Sequence, residues 1–111
     1  MKSAAWTLLA LAAGCVTTAP PVRTEHVLTG ATYPAQDRPV RIVMEGSPVS
    51  GSYEEVAVVS AQGVNGNATL GAVLAALQRE AASLGCDAVL RVRYDQGQQM
   101  ASATGVAVRM K

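Results

Sequence analysis

The chain has 111 residues, nine basic and eight acidic side chains and a formal net charge of +1, too little for a general attraction to nucleic acid or an anionic surface. With one Trp, three Tyr and no Phe, it lacks the aromatic faces on which sugar platforms and single-strand nucleic-acid grooves rely. Its length allows one small domain, close to the size at which a core stands alone with difficulty.

The chain opens with Lys2 and an uncharged run, Ala4 to Ala13, that ends at Gly14-Cys15. A basic residue before a short apolar stretch fits an export signal, and the stretch is far below the roughly 20 residues that cross a bilayer. Ala12-Ala13-Gly14-Cys15 resembles the bacterial lipobox, in which small residues precede a cysteine that is acylated and becomes the mature N-terminus. Two or three acyl chains anchor durably where one does not. Val16 follows in place of Asp, which under the enteric sorting rule points to the outer membrane. Residues 1–14 are therefore expected to be a signal peptide. Cleavage removes Lys2 and Trp6, leaving basic and acidic residues balanced.

Residues 15–37, rich in Thr, Ala and Pro and without period, read as a lipidated N-terminus and flexible tether. The domain is expected over 38–111. Val40, Ile42 and Met44 alternate with Arg41, Val43 and Glu45 as in a strand, and Gly46-Ser47-Pro48 breaks it. Glu55 to Gln62 reads as a strand covered on both faces, and Gly63 to Asn67 as a turn-rich loop. Leu70 to Leu84 carries an apolar stripe at helical spacing, Leu70, Val73, Leu74, Leu77, Ala81 and Leu84. Asn67 or Thr69 can cap its start and Gly85 suits its end.

Asp87 to Asp95 and Met100 to Met110 read as a hairpin around Gly97 to Gln99. Setting Gln96 opposite Met100 places Leu90 against Val106, Ala88 against Val108 and Asp87 against Arg109, apolar with apolar and charge with opposite charge. In this reading Leu90, Val92 and Tyr94 face the helix and Val89, Arg91 and Arg93 face away. The strands on either side of the helix run parallel through a crossover. The expected fold is α+β, a two-layer β-β-α-β-β domain with one helix packed on a mixed four-stranded sheet.

Ala81-Ala82-Ser83-Leu84-Gly85-Cys86-Asp87-Ala88-Val89 and Gly105-Val106-Ala107-Val108-Arg109-Met110 resemble segments of small envelope lipoproteins, including the Rcs stress-sensor family and a related uncharacterised lipoprotein family. The YbjQ-type family, labelled as heavy-metal-binding, has a similar helix–strand unit. The resemblance covers roughly Val40 to Met110 and implies a fold more than a function. Those lipoproteins carry cysteines that staple the sheet. The corresponding places here hold Tyr53 and Met110, so the disulfides that the resemblance implies are absent.

No constellation of catalytic groups stands out. The single His26 sits beside Glu25 in the expected tether, and Glu54 and Glu55 should diverge as neighbours in a strand. No Cys-x-x-Cys or His-x-x-x-His spacing occurs, and no cofactor motif; Cys86, Met100 and Met110 offer in principle a soft copper(I) set, although methionines more often fill cores. Once Cys15 carries lipid, Cys86 is left as a small buried residue after the helix. Arg41, Val43, Val89, Arg91, Arg93 and Ala107, on the sheet face away from the helix, form the candidate protein interface. The reading is of a lipid-anchored protein of the bacterial envelope, on the outer membrane facing the periplasm. It is not an enzyme and works through an envelope partner or as a homo-oligomer, and does not bind nucleic acid. The alternative is a periplasmic module for a small ligand or soft metal.

Overall fold

The computed structural model describes residues 22–111. The signal sequence, Cys15 and the chain as far as Pro21 lie outside the described residues. Strands β1 (Val22–Leu28), β2 (Arg41–Met44), β3 (Tyr53–Val64), β4 (Ala88–Gln96) and β5 (Met100–Met110) and one helix, α1 (Leu70–Ser83), make an α+β fold. The sheet is mixed and five-stranded, in the order β1-β3-β5-β4-β2. Expected with four strands, it gains its fifth from the segment read as a tether: Val22–Leu28 pairs antiparallel with β3 along its whole length. Thr, His and charged residues hide the period there, and pairing rather than propensity makes the strand.

α1 begins where Thr69 accepts a hydrogen bond from the Ala72 N–H and ends at Gly85, whose φ of +78° suits glycine. A side chain at Gly85 would also strike Tyr33 and the Pro34 carbonyl. Val73, Ala76, Leu77 and Ala81 are the buried stripe, while Leu70, at the first turn, is exposed. They pack on Val59, Ala61, Val89, Val92, Ala103 and Ala107. Removing the Leu77 side chain alone would cost about 2–5 kcal/mol, a large part of what so small a domain possesses.

The hairpin sets Ala88 against Val108 and Leu90 against Val106, as the charge and apolar pattern anticipates. Beyond Leu90 the register slips, so that Arg93 meets Thr104 and Gln96 meets Ala101 instead of Met100. Arg91 and Val92 together oppose Gly105, a β-bulge in which Arg91 takes a positive φ of 53°. The bulge returns Val92 to the side already occupied by Val89. Both lie under the helix, and Leu90 lies on the other face. The expected division of β4 into faces is therefore corrected: Val89 and Ala107 belong to the helix-side core.

A second bulge, between Glu55 and Ala57 of β3, brings Val56 and Ala57 to the helix side together. The carbonyl of Val56 receives the N–H groups of Thr29 and Gly30 at the end of β1. β3 and β4 run parallel as expected, with β5 lying between them.

Two connections brace the sheet. The chain from Gly30 to Val40 passes below the C-terminal end of α1, where Gln36 N–H donates to Ala82 O and the Gln36 side chain to Cys86 O. Residues 45–52 must travel from β2 at one edge back across β4 and β5 to β3. They do so on the face away from α1, where Val49 covers Val43, Ala88, Leu90 and Val108. At that end of the sheet Tyr53 stands opposite Met110 and joins the same cluster.

A methyl group at Gly105 would come within 2.5 Å of Val89 Cγ1 and 3.0 Å of the Leu90 carbonyl. Gly105→Ala should cost about 1–3 kcal/mol in urea denaturation. Combined with Val89→Ala it should cost less than the two changes summed, because the smaller side chain gives the new methyl room. Strict additivity would show that Gly105 is not required by this contact.

Candidate functional site

Alternation along paired strands fixes which side chains face away from α1. Across β1, β3 and β5 these are the rows Val27–Val58–Val106, Glu25–Ser60–Thr104 and Arg23–Gln62–Ser102, with Val64 beside Met100 at the far end. β4 adds Leu90, Arg93 and Asp95 to the first three. The 45–52 connection covers only the half near Val108 and Met110. The other half is open, and on or beside it Val27 is 67% exposed, Val58 40%, Val64 49% and Met100 46%. Between these apolar ends the hydroxyls of Ser60, Ser102 and Thr104, with Gln62, Arg23 and Glu25, line a shallow cavity of about 100 Å³. That volume is well below the roughly 300–1,000 Å³ of small-molecule sites. A wider, more open depression of about 420 Å³ lies between α1 and residues 38–40, with Arg38, Gln78 and Arg79 in its lining.

The six residues expected to form an interface are not brought together as one surface. Arg41 is exposed at the β2 edge. Val43 is buried under the 45–52 connection. Val89 and Ala107 are fully buried beneath α1. Arg91 is exposed on the bulge and pairs with Glu55 at 3.3 Å, and Arg93 pairs with Glu45 at 3.6 Å, contacts each worth at most about 1 kcal/mol at such exposure. Val43 and Arg93 do lie on the side away from α1, whereas Val89 and Ala107 lie on the helix side, because the bulges in β3 and β4 exchange the alternation.

His26, expected in a solvated tether, stands on β1 with Nδ1 2.5 Å from a Glu80 carboxylate oxygen. The Thr24 hydroxyl donates to the other oxygen at 3.0 Å. One helical carboxylate thus holds two alternate residues of the edge strand. Glu54 and Glu55 diverge as neighbours in a strand should: Glu54 receives the Tyr33 hydroxyl on one side, and Glu55 takes Arg91 on the other. The Glu54 carboxylate raises the Tyr33 pKa, and the Arg109 guanidinium stacks over the same ring, 3.9 Å from its centre. Arg109 is therefore not the partner of Asp87. Instead Arg38 donates to Asp87 at 2.9 Å and the Met110 N–H at 3.0 Å.

Cys86 is fully buried at the start of β4, and burial, with Asp87 adjacent, pushes its thiol up to about 11. It stays protonated at neutral pH, which suits neither a nucleophile nor a metal ligand. Met100 and Met110 sit at opposite ends of β5, some 30 Å apart at the rise of a strand, so Cys86, Met100 and Met110 cannot share an ion. No group of three His, Cys, Asp or Glu is placed to hold a metal among the described residues. No family model matches the chain, and no curated protein or solved structure matches it either.

The Arg38 guanidinium, and then the Met110 N–H, hold the Asp87 carboxyl below the usual carboxylate range against an opposing effect of partial burial. A depressed folded-state pKa stabilises above the unfolded value of about 4, and the gain is lost as pH falls through the lower folded value. Asp87→Ala should therefore cost about 1–2 kcal/mol at pH 7. The gap to wild type should narrow as urea denaturation is repeated at pH values below about 4. A gap unchanged with pH would assign the loss to packing instead.

Proposed function

We propose that this chain is a bacterial envelope lipoprotein, held to the membrane by acyl groups on Cys15, that works through protein contacts made by the open half of its sheet. The observation that carries the reading is that half-covered face: α1 seals one side, the 45–52 connection seals part of the other, and Val27, Val58, Val64 and Met100 remain exposed beside a row of hydroxyl and amide side chains. Exposed apolar residues gathered on one face and set beside polar ones mark interaction sites. The lipobox-like Ala12-Ala13-Gly14-Cys15, Val16 after it and the likeness to stress-sensor lipoproteins support the reading of an outer-membrane protein facing the periplasm, with a role as a sensor, assembly factor or oligomeric element.

Small-ligand binding is the second reading. The depression beside Arg38 and Arg79 has a volume in the range of ligand sites. It favours an anion least where it needs a cation most, since Arg38 is engaged by Asp87 and leaves Arg79 alone.

Two measurements test the proposal. The N-terminal peptide from native membranes should carry a diacylglyceryl or triacyl Cys15, and a lipoprotein signal-peptidase inhibitor should abolish the mature form; an unmodified Cys15 sinks the anchor. A photo-crosslinking residue at Val58 should give discrete protein adducts in cells, whereas the same residue at the exposed helical Arg79 should not. Equal labelling from both positions would remove the open face from the function.

A further inference from the structure

The two edges of the sheet differ. β2 is four residues long and its register is interrupted between Ile42 and Met44, so it offers little to a neighbouring chain. β1 is seven residues long and pairs with β3 in unbroken register. Short or bulged edges are the common protection against pairing with another chain, and proline and inward charge are others. Among the described residues β1 is neither short, bulged nor interrupted by proline, and the two charges it carries on the open face, Arg23 and Glu25, are opposite in sign.

The backbone pattern says which groups are free. Thr29 N–H bonds inward to Val56 O, so by alternation the odd-numbered residues of β1 face β3. The N–H and C=O groups of Val22, Thr24, His26 and Leu28 then point outward. Glu80 holds the side chains of Thr24 and His26, keeping this edge straight and ordered before any partner arrives.

We infer that β1 pairs with the β1 of a second copy, antiparallel about a two-fold axis at Thr24, with Arg23 of each chain opposite Glu25 of the other. The symmetric registers that pair at least five residues of the strand have their axes at Thr24, Glu25 or His26. An axis at Glu25 sets two carboxylates face to face. An axis at His26 sets Glu25 against Val27. Only the axis at Thr24 gives two opposite-charge pairs flanking a Thr–Thr pair, both favourable cross-strand combinations. Arg23 and Glu25 then occupy non-hydrogen-bonded positions, where side chains approach most closely. Both are exposed, and neither has an ion-pair partner within the chain among the described residues. Pairing of opposite faces is avoided, since antiparallel partners share a face: the two helices lie on one side and the two open faces join on the other.

The inference deepens the protein-contact reading by naming a second copy as partner, and it does not require the lipid. The test uses the full chain purified in detergent, with protein mass followed by light scattering across a concentration series at low salt. Wild type should reach twice the chain mass. Arg23→Glu and Glu25→Arg each place like charges opposite one another twice, and each should raise the dissociation constant about tenfold to a hundredfold. The double reversal, Arg23→Glu with Glu25→Arg, should restore wild-type pairing. Because both side chains are exposed, far-UV circular dichroism should be unchanged in all four proteins. A wild type at chain mass throughout, single reversals that leave the doubled mass untouched, or a double reversal that stays dissociated would each overturn the pairing. Any of these would leave the lipid-anchored reading to stand or fall on the mass of Cys15 and the adducts at Val58.

Discussion

The structure depends on a single absent side chain in its central strand. Gly105 of β5 stands opposite both Arg91 and Val92, and the space its Cβ would fill holds Val89 and Val92 from either side of the bulge. Val89, before the bulge, and Val92, after it, can therefore both lie under α1, three residues apart in a strand where two-residue spacing is the rule. The floor beneath the helix is built from this arrangement and its counterpart in β3, where Val56 and Ala57 do the same next to Ala107. A regular sheet of the same sequence would send Val89 to the open face and Leu90 to the helix. It would set Leu90 where Val89 now packs and lose the joint packing of Val89 and Val92 under the helix.

The bulges also divide the far face. On the side of Tyr53, Val108 and Met110 the outward residues are apolar, and the 45–52 connection closes over them through Val49. On the other side of the bulges the outward residues Ser60, Gln62, Ser102 and Thr104 need no cover, and Val58, Val64 and Met100 beside them are left exposed. The connection can be short because it crosses only the apolar half, and positive φ values at Gly46 and Gly51 turn it at each end. At the closed end Tyr53 and Met110 lie opposite each other and contribute apolar packing. The Arg38–Asp87 ion pair and the hydrogen bonds that the Met110 N–H donates to Asp87 and the Tyr33 hydroxyl to Glu54 tie the same end together.

Much of the fold was legible because its signals are local. The helix shows a 3.6 period, a threonine cap and a terminal glycine, and the first pairs of the hairpin follow from matching apolar and charged residues. The faces of β3, β4 and β5 could not be read because a bulge inserts a residue into a pairing and shifts the alternation beyond it. Hence simple alternation puts Val89 and Ala107 on a surface when they are core, and gives Val58, Ser60 and Thr104 no distinction. Gly105 was the available signal, an isolated glycine inside a strand pattern. β1 was hidden for a different reason. Arg23, Glu25 and His26 give it the composition of a linker, and it becomes a strand through β3 and Glu80, which are remote in sequence.

The position of β1 also changes what an anchor at Cys15 would do. A tether lasting to Asp37 would let the domain wander tens of ångströms from a bilayer. With the chain entering the sheet at Val22, six residues would separate a lipidated Cys15 from the domain, a reach of about 25 Å when extended. The anchor then pulls on an edge strand that backbone pairing with β3 and the carboxylate of Glu80 secure along its length. Two chains paired about Thr24 would be related by an axis perpendicular to the sheet, and both anchors can meet one bilayer symmetrically only when that axis stands along the membrane normal. The sheet then lies parallel to the membrane. Either the helices or the joined open faces would then look away from it.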